Sequence, residues 1–143
     1  MISKNYVKIE LPARSSNEAF ARASVAAFAA QLDPTIDELG DIKTAVSEAV
    51  TNAVVHAYPD KIGCVYIKLR IIDDDILEIA VKDKGKGIDD VEKAMEPLYT
   101  TGGEDRSGMG FTIMDSFMDK MKVSSRPGKG TTVTMRRRIR SKK

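Results

Sequence analysis

Glu48 and Asn52 stand four residues apart, and His56 follows at the same interval. On a helix that spacing puts the three side chains on one stripe. A carboxylate on such a stripe can take a proton from a hydroxyl or a water. An asparagine amide oxygen is a hard donor of the kind Mg²⁺ accepts, the ion keeping waters and phosphate oxygens as its other ligands. Further along, Asp83-Lys84-Gly85-Lys86-Gly87 ends an apolar run. Glycine there lets a ligand approach the backbone closely, and the Asp83 carboxylate is an acceptor suited to the amino group of adenine. Ser107-Gly108-Met109-Gly110 then precedes an amphipathic segment through Phe111, Ile113, Met114 and Phe117. Backbone N–H groups at such a helix start form an anion site, and the guanidinium of Arg106 has the forked donors a terminal phosphate needs.

Taken one at a time, these patterns have plain structural readings. A boundary acid is commonly a solvated one, an Asp-Gly turn is common, and an arginine in a loop is usually solvated. His56, close to its helix end, reads as a side chain that bonds the last carbonyls. Order and spacing favour a nucleotide site. It is not of the commonest kinds, because no G-x-x-x-x-G-K-[ST] run occurs and Gly85 and Gly87 lack the third glycine of G-x-G-x-x-G. No protein-kinase His-Arg-Asp segment occurs either.

The elements that must position these residues follow from periodicity. Tyr6 to Leu11 alternates as a strand that Pro12 ends. Ser15 with Glu18 and Thr35 with Glu38 have capping-box spacing, which predicts helices from about Asn17 to Leu32 and from Pro34-Thr35 to just before Pro59. The second helix carries Leu39, Ile42, Val46, Ala49, Val50, Ala53 and Ala57 on one face, with the Glu48 stripe at its edge. On the first helix, Phe20, Ser24, Val25, Ala27 and Phe28 fall on one arc, and Arg22 points away from it toward solvent. Val65 to Ile72 and Ile76 to Val81, separated by three aspartates, read as an antiparallel hairpin. A short helix around Val91 to Met95, a loop from Pro97 to Arg106, a helix from Gly108 or Gly110, and strands over Val123 to Ser125 and Thr131 to Ile139 complete the chain. Gly102 and Gly103 make the loop a candidate lid that closes on nucleotide. The expected class is α/β: a two-layer sandwich with a mixed, mostly antiparallel sheet and helices on one face.

A chain of 143 residues with 42% hydrophobic and 31% charged residues is expected to be one domain, 1–143, of ordinary globular composition. No long apolar run or leader pattern is present, so neither a membrane partner nor a signal peptide is expected. One cysteine and one histidine exclude an internal disulfide and a His/Cys zinc site within the chain, and a reducing cytoplasm fits. The net charge is +2, with Arg136, Arg137, Arg138, Arg140, Lys142 and Lys143 gathered at the end. No aromatic residues interleave with that run, so it reads as a solvated end, and no direct nucleic-acid partner is expected.

Glu48-Ala-Val-Thr-Asn52-Ala-Val-Val-His56 resembles the N box of the ATPase superfamily of gyrase, Hsp90, histidine kinases and MutL. Asp83-x-Gly85-x-Gly87 resembles its G1 box, and Arg106-Ser-Gly108-Met-Gly110-Phe111 its G2 box. Nearly the whole chain is similar to the anti-sigma F family of endospore-forming bacteria, notably Asn17-Glu-Ala-Phe-Ala-Arg22, Gln31-Leu32-Asp33-Pro34-Thr35, Pro97-Leu98-Tyr99-Thr100-Thr101 and Ser107 to Met114. The resemblance implies a Bergerat-type ATP-binding fold and a homodimeric, ATP- and Mg²⁺-dependent serine kinase. Such a kinase holds a sporulation sigma factor inactive and phosphorylates a serine of an anti-anti-sigma partner. It also implies Glu48 as base, Asn52 as Mg²⁺ ligand, Asp83 with Gly85 and Gly87 at adenine, and Arg106 at the γ-phosphate. Thr101, Ser107, Gly108 and Gly110 would be further nucleotide contacts, and Arg22 the contact to the sigma factor. Gly102-Gly103-Glu104-Asp105 departs from the family as a shorter, more flexible lid. Three other readings stay open: a binding module that uses ATP only to hold a conformation, a histidine-kinase catalytic fragment, and a general-stress anti-sigma kinase. A histidine-kinase fragment needs a phosphoacceptor histidine on a preceding helical hairpin, whereas His56 lies inside the N box. The Arg22 segment and the Ser107 to Met114 run favour the sporulation branch over the general-stress one.

Overall fold

Alternating and β-branched runs form five strands, β1 (Ser3–Pro12), β2 (Cys64–Ile72), β3 (Ile76–Asp83), β4 (Lys120–Arg126) and β5 (Gly130–Arg138). They belong to a computed structural model that describes residues 3–58, 61–88, 90–91 and 110–140. The strands make one sheet in the order β1-β2-β3-β5-β4. Every pairing among these described strands is antiparallel, as the mostly antiparallel expectation has it, and no parallel pair makes the sheet mixed. Asp73 and Asp74, at φ 54° and 74°, turn the chain between β2 and β3. Short polar side chains tolerate that left-handed backbone.

Cross-strand register sorts the side chains into rows that share a face. One row runs Val7, Leu69, Ile79, Met135, Met121, and the next runs Ile9, Ile67, Val81, Val133, Val123. These rows and three helices close one apolar core. The helices are α1 (Glu18–Ala29), α2 (Ile36–Asn52) and α3 (Gly110–Phe117).

Helix α2 starts as its sequence predicts. Thr35 Oγ1 accepts from the Glu38 N–H at 3.0 Å, and the Thr35 N–H donates to Glu38 Oε1 at 2.9 Å. Its buried residues Ile42, Val46, Ala49 and Val50 are those of the expected face, joined by Ala45 and Glu38. Beyond Asn52 the helix widens into a π turn, Ala53–Ala57.

Two expectations for α1 are corrected. The Ser15–Glu18 capping box does not form, because Glu18 turns to Arg22 and to Ser47 of α2, and a 3₁₀ turn (Ser15–Asn17) leads into the helix instead. The buried stripe is Ala21, Val25 and Ala29, while Phe20 is 57% exposed. Small residues let α1 approach α2 closely, so the packing face is set by fit and not by side-chain size. The helix expected around Val91 to Met95 lies, beyond Val91, outside the described residues, as does the candidate lid from Pro97 to Arg106.

Candidate active site

The first glycine loop is held from two sides. The Lys86 N–H donates to the carbonyl of Ala57, the last residue of the π turn, at 2.8 Å. A Cβ on Gly85 would overlap that same carbonyl, so only glycine lets the loop sit against the end of α2. From the other side, the Gly128 N–H donates to the Lys86 carbonyl at 2.6 Å, and the Ile88 N–H donates to Ser125 Oγ at 2.8 Å. Gly87 has φ +77° and lies against the Arg126 carbonyl, where a side chain would meet both strain and overlap.

Asp83 begins this loop. It extends the apolar row Leu11–Val65, so its carboxylate is on the helix side of the sheet and only 7% exposed. Its Oδ1 accepts from the Gly85 N–H at 2.9 Å and from the Thr131 N–H at 3.2 Å. That fixes the carboxylate plane and leaves Oδ2 with no hydrogen bond among the described residues. Burial pushes the Asp83 carboxyl above the ordinary aspartate range, while the N–H bonds from Gly85 and Thr131 pull it back.

The second cluster lies at the start of α3. A Cβ on Gly110 would stand 3.3 Å from Glu48 Oε1 and 3.4 Å from Asn52 Oδ1. Two residues of the predicted stripe on α2 and Gly110, the last residue of the predicted glycine turn, therefore meet. Glu48, Asn52 and His56 are all half-buried, as the edge of an apolar arc requires. His56 is engaged in an interaction and is not a free imidazole.

The sites divide plainly. Glu48, Asn52 and Gly110 come together, and Asp83, Gly85 and Gly87 are tied to the same helix through Ala57. Thr101, Arg106, Ser107 and Gly108 lie outside the described residues. Arg22 is corrected. It is half-buried against α2, pairing with Glu18 at 3.1 Å and donating to Ser47 Oγ at 3.4 Å, one residue from Glu48. It does not point into open solvent away from the second helix.

Two residues of the site escaped the sequence reading. The Thr131 N–H orients Asp83 from β5, a long-range contact with no local signature. Tyr58 accepts the Lys84 N–H at 2.7 Å and donates to the Cys64 carbonyl at 2.7 Å, clamping β2 to the strand end that bears Asp83. An aromatic hydroxyl just past a helix end, beside Pro59, is the one signal that could have drawn attention to it.

The donor set fits a nucleotide with Mg²⁺. One oxygen of the Asp83 carboxylate is left for a base amino group, and a side-chain amide and a carboxylate flank a helix start that glycine keeps open. Among the described residues no cluster of three or more His, Cys, Asp or Glu could hold an ion by itself.

Comparison with known proteins shows the family to which this fold belongs. The family model of the histidine kinase-like ATPase domain matches residues 11–137. The anti-sigma F factor of Caldanaerobacter subterraneus subsp. tengcongensis is 59% identical over 136 residues, 94% of each chain. That of Clostridium beijerinckii is 54% identical over 140 residues, 96% of this chain and 97% of its own. The chain belongs to the anti-sigma F family of histidine kinase-like ATPase domains. The RsbU and RsbW domains of Rv1364c from Mycobacterium tuberculosis align at a TM-score of 0.70 with 20% identity, over 95% of this chain and 33% of theirs. The mycobacterial sensor histidine kinase MprB aligns at 0.61 with 18% identity, over 94% of this chain and 99% of its own. At such identities these two alignments speak to the fold alone. No helix among the described residues is long and apolar enough to cross a membrane.

Proposed function

We propose that this chain is an ATP-dependent protein-serine kinase that also sequesters a sporulation sigma factor. Its substrate is a serine of the anti-anti-sigma protein that would otherwise release the sigma factor. The reading includes a single cytoplasmic domain acting as a homodimer, with Arg22 in the sigma contact. The observation that carries the enzymatic half is that Glu48 Oε1 and Asn52 Oδ1 both lie within 3.4 Å of where a Cβ on Gly110 would stand, at the start of α3.

Bound ATP with Mg²⁺ supplies the phosphoryl group and the cation that neutralises it. The chain's own residues bind, orient and move one proton. Asp83 offers Oδ2 to the adenine amino group, its plane fixed by Gly85 and Thr131. Gly85 and Gly87 let the loop that follows Asp83 pack against the Ala57 and Arg126 carbonyls. Asn52 would hold the ion through its amide oxygen, and Gly110, with Thr101, Ser107 and Gly108, would contact the phosphates. Arg106 contacts the terminal phosphate. Glu48 accepts the proton of the attacking serine hydroxyl, a step worth about 10²–10⁴ in rate. Phosphoryl transfer asks little more of a protein than such positioning and charge neutralisation.

Incubation with radiolabelled ATP, Mg²⁺ and an anti-anti-sigma protein, followed by mapping of the label, tests this. Label on a serine is expected, with transfer reduced about 10²–10⁴-fold in Glu48→Gln at unchanged ATP affinity. Tight ATP binding with no transfer to any serine would leave a binding module in place of a kinase.

A further inference from the structure

The sheet face opposite the helices buries Ile72 and Ile76 at one end and carries exposed lysines over the rest, so its chemistry is uneven. Its middle row runs Lys8, Lys68, Ala80, Thr134, Lys122. The rows on either side add Lys82 and Lys120. These five lysines are exposed and make no ion pair among the described residues. Arg70 and Arg136 lie on the same face, and both are spent on Glu78, which they flank at 2.6 and 2.7 Å. Glu10 is the other carboxylate in these rows. Seven cations thus oppose two carboxylates in these three rows of a chain whose net charge is +2, so the rest of the chain is net acidic. Charge has been sorted onto one surface.

We propose that this open face docks duplex DNA through its phosphates. Neighbouring side chains across strands stand about 5 Å apart and alternate residues on one strand about 7 Å apart. An array of charges at that pitch is matched by a polymer of comparable charge density, and a duplex carries about one phosphate charge per 1.7 Å of axis. Thr132, Thr134 and Ser124 place hydroxyls among the lysines, the other donors that phosphates accept. The alternatives fit less well. A protein interface is built on an apolar or aromatic centre and is poor in lysine. The aromatic residues in these rows are Tyr6, on the edge strand, and Tyr66, whose ring lies 4.9 Å beneath the Lys84 ammonium. That occupied ring also leaves little platform for stacking the bases of a single strand. A second copy of this face would set lysines against lysines.

Fluorescence anisotropy with a labelled duplex of mixed sequence, from about 50 to about 200 mM salt, tests the assignment, since phosphate-anchored binding weakens by orders of magnitude over that interval. With five lysines on phosphates, the slope of log affinity against log salt should be about −4.5. The Lys8→Gln/Lys68→Gln/Lys122→Gln variant should bind at least about tenfold more weakly, with a slope near −2. Its ATP affinity, thermal midpoint and oligomeric state should match the parent. Absence of binding at about 50 mM salt, or an unchanged slope in the variant, overturns the proposal. So does displacement by poly-glutamate at equal charge concentration, which would assign the face to an acidic polypeptide, or a changed oligomeric state, which would make it an interface between copies. None of these outcomes touches the kinase reading, which rests on the opposite side of the sheet.

Discussion

Asp83 is an acid placed where an acid is disfavoured, in line with Leu11 and Val65. Burial raises its pKa, so the linkage sign is fixed: its contribution to stability is fully present below the unfolded pKa and is lost as pH rises through the folded one. At neutral pH the ionised group is therefore a burden on folding. Asp83→Asn should leave the thermal midpoint at pH 7 unchanged or higher, since the Asn Oδ1 can still accept from Gly85 and Thr131. ATP affinity should collapse in the same variant, because an amide donor replaces the acceptor that faces the adenine amino group. In the wild type, ATP affinity should fall as acid protonates Asp83, beginning at a higher pH than an exposed aspartate would require. Calorimetric titrations across pH, paired with melts of the variant, check all three; a variant that both melts early and binds ATP normally would place Asp83 in the scaffold alone. The identity of this residue was legible because a carboxylate and glycines at a strand end form a local pattern. Its orientation was not, because Thr131 reaches it from a strand far along the chain.

At the scale of elements, α2 is the spine of the site. It carries Glu48 and Asn52 on its edge, and its π turn docks the first glycine loop through Ala57. Two glycine substitutions separate helix propensity from site geometry. Gly40 lies within α2 with nothing near where a Cβ would stand, so Gly40→Ala should stabilise by about 0.5–1 kcal/mol and leave ATP affinity alone. At Gly85 the added methyl overlaps the Ala57 carbonyl, so Gly85→Ala should destabilise by roughly 1–3 kcal/mol and weaken ATP binding together. Denaturant melts with ATP titration read both; equal effects from the two variants would break the argument. Helix α2, its capping box and its apolar face were readable because its period is local and sustained. The face of α1 was not. Its alanines carry little pattern, and the choice of Ala21, Val25 and Ala29 over Phe20 is made by the closeness of α2. Arg22 follows from the same cause: rotating the buried stripe brought it onto Glu18 and Ser47. A sigma-binding test therefore reads more cleanly from Arg22→Ala than from Arg22→Glu, which would set two carboxylates side by side.

For the whole molecule, charge is the organising quantity that sequence order concealed. The arginine run at the end of the chain reads as a solvated tail, yet its described members are tied back into the fold. Arg136 goes to Glu78, Arg137 to Asp41, Arg138 to Asp75 and Arg140 to Asp119. The five lysines of the open face, without an ion pair among the described residues, are scattered from Lys8 to Lys122 and meet only when the strands pair. Glu78 is central to that face. Its Oε1 accepts from Arg70 Nε at 2.7 Å and its Oε2 from Arg136 Nε at 2.8 Å, so it stitches β2, β3 and β5 together. It is also one of two carboxylates restraining the repulsion among seven cations. Glu78→Gln keeps the shape, removes the charge and should lower stability by about 2 kcal/mol at moderate salt. Breaking a buried pair outright costs about 3–5 kcal/mol, discounted here because both guanidiniums stay partly hydrated. The deficit should depend on ionic strength. The Debye length is about 30 Å at 0.01 M, long enough for every cation on the sheet to act on the others, and about 3 Å at 1 M, where only contact pairs survive. The gap in thermal midpoint between variant and wild type should therefore widen by several degrees at low salt and narrow at high salt. Melts of both proteins across that range decide the point, and a gap independent of salt would reduce Glu78 to a hydrogen-bonding clamp with no part in balancing the face.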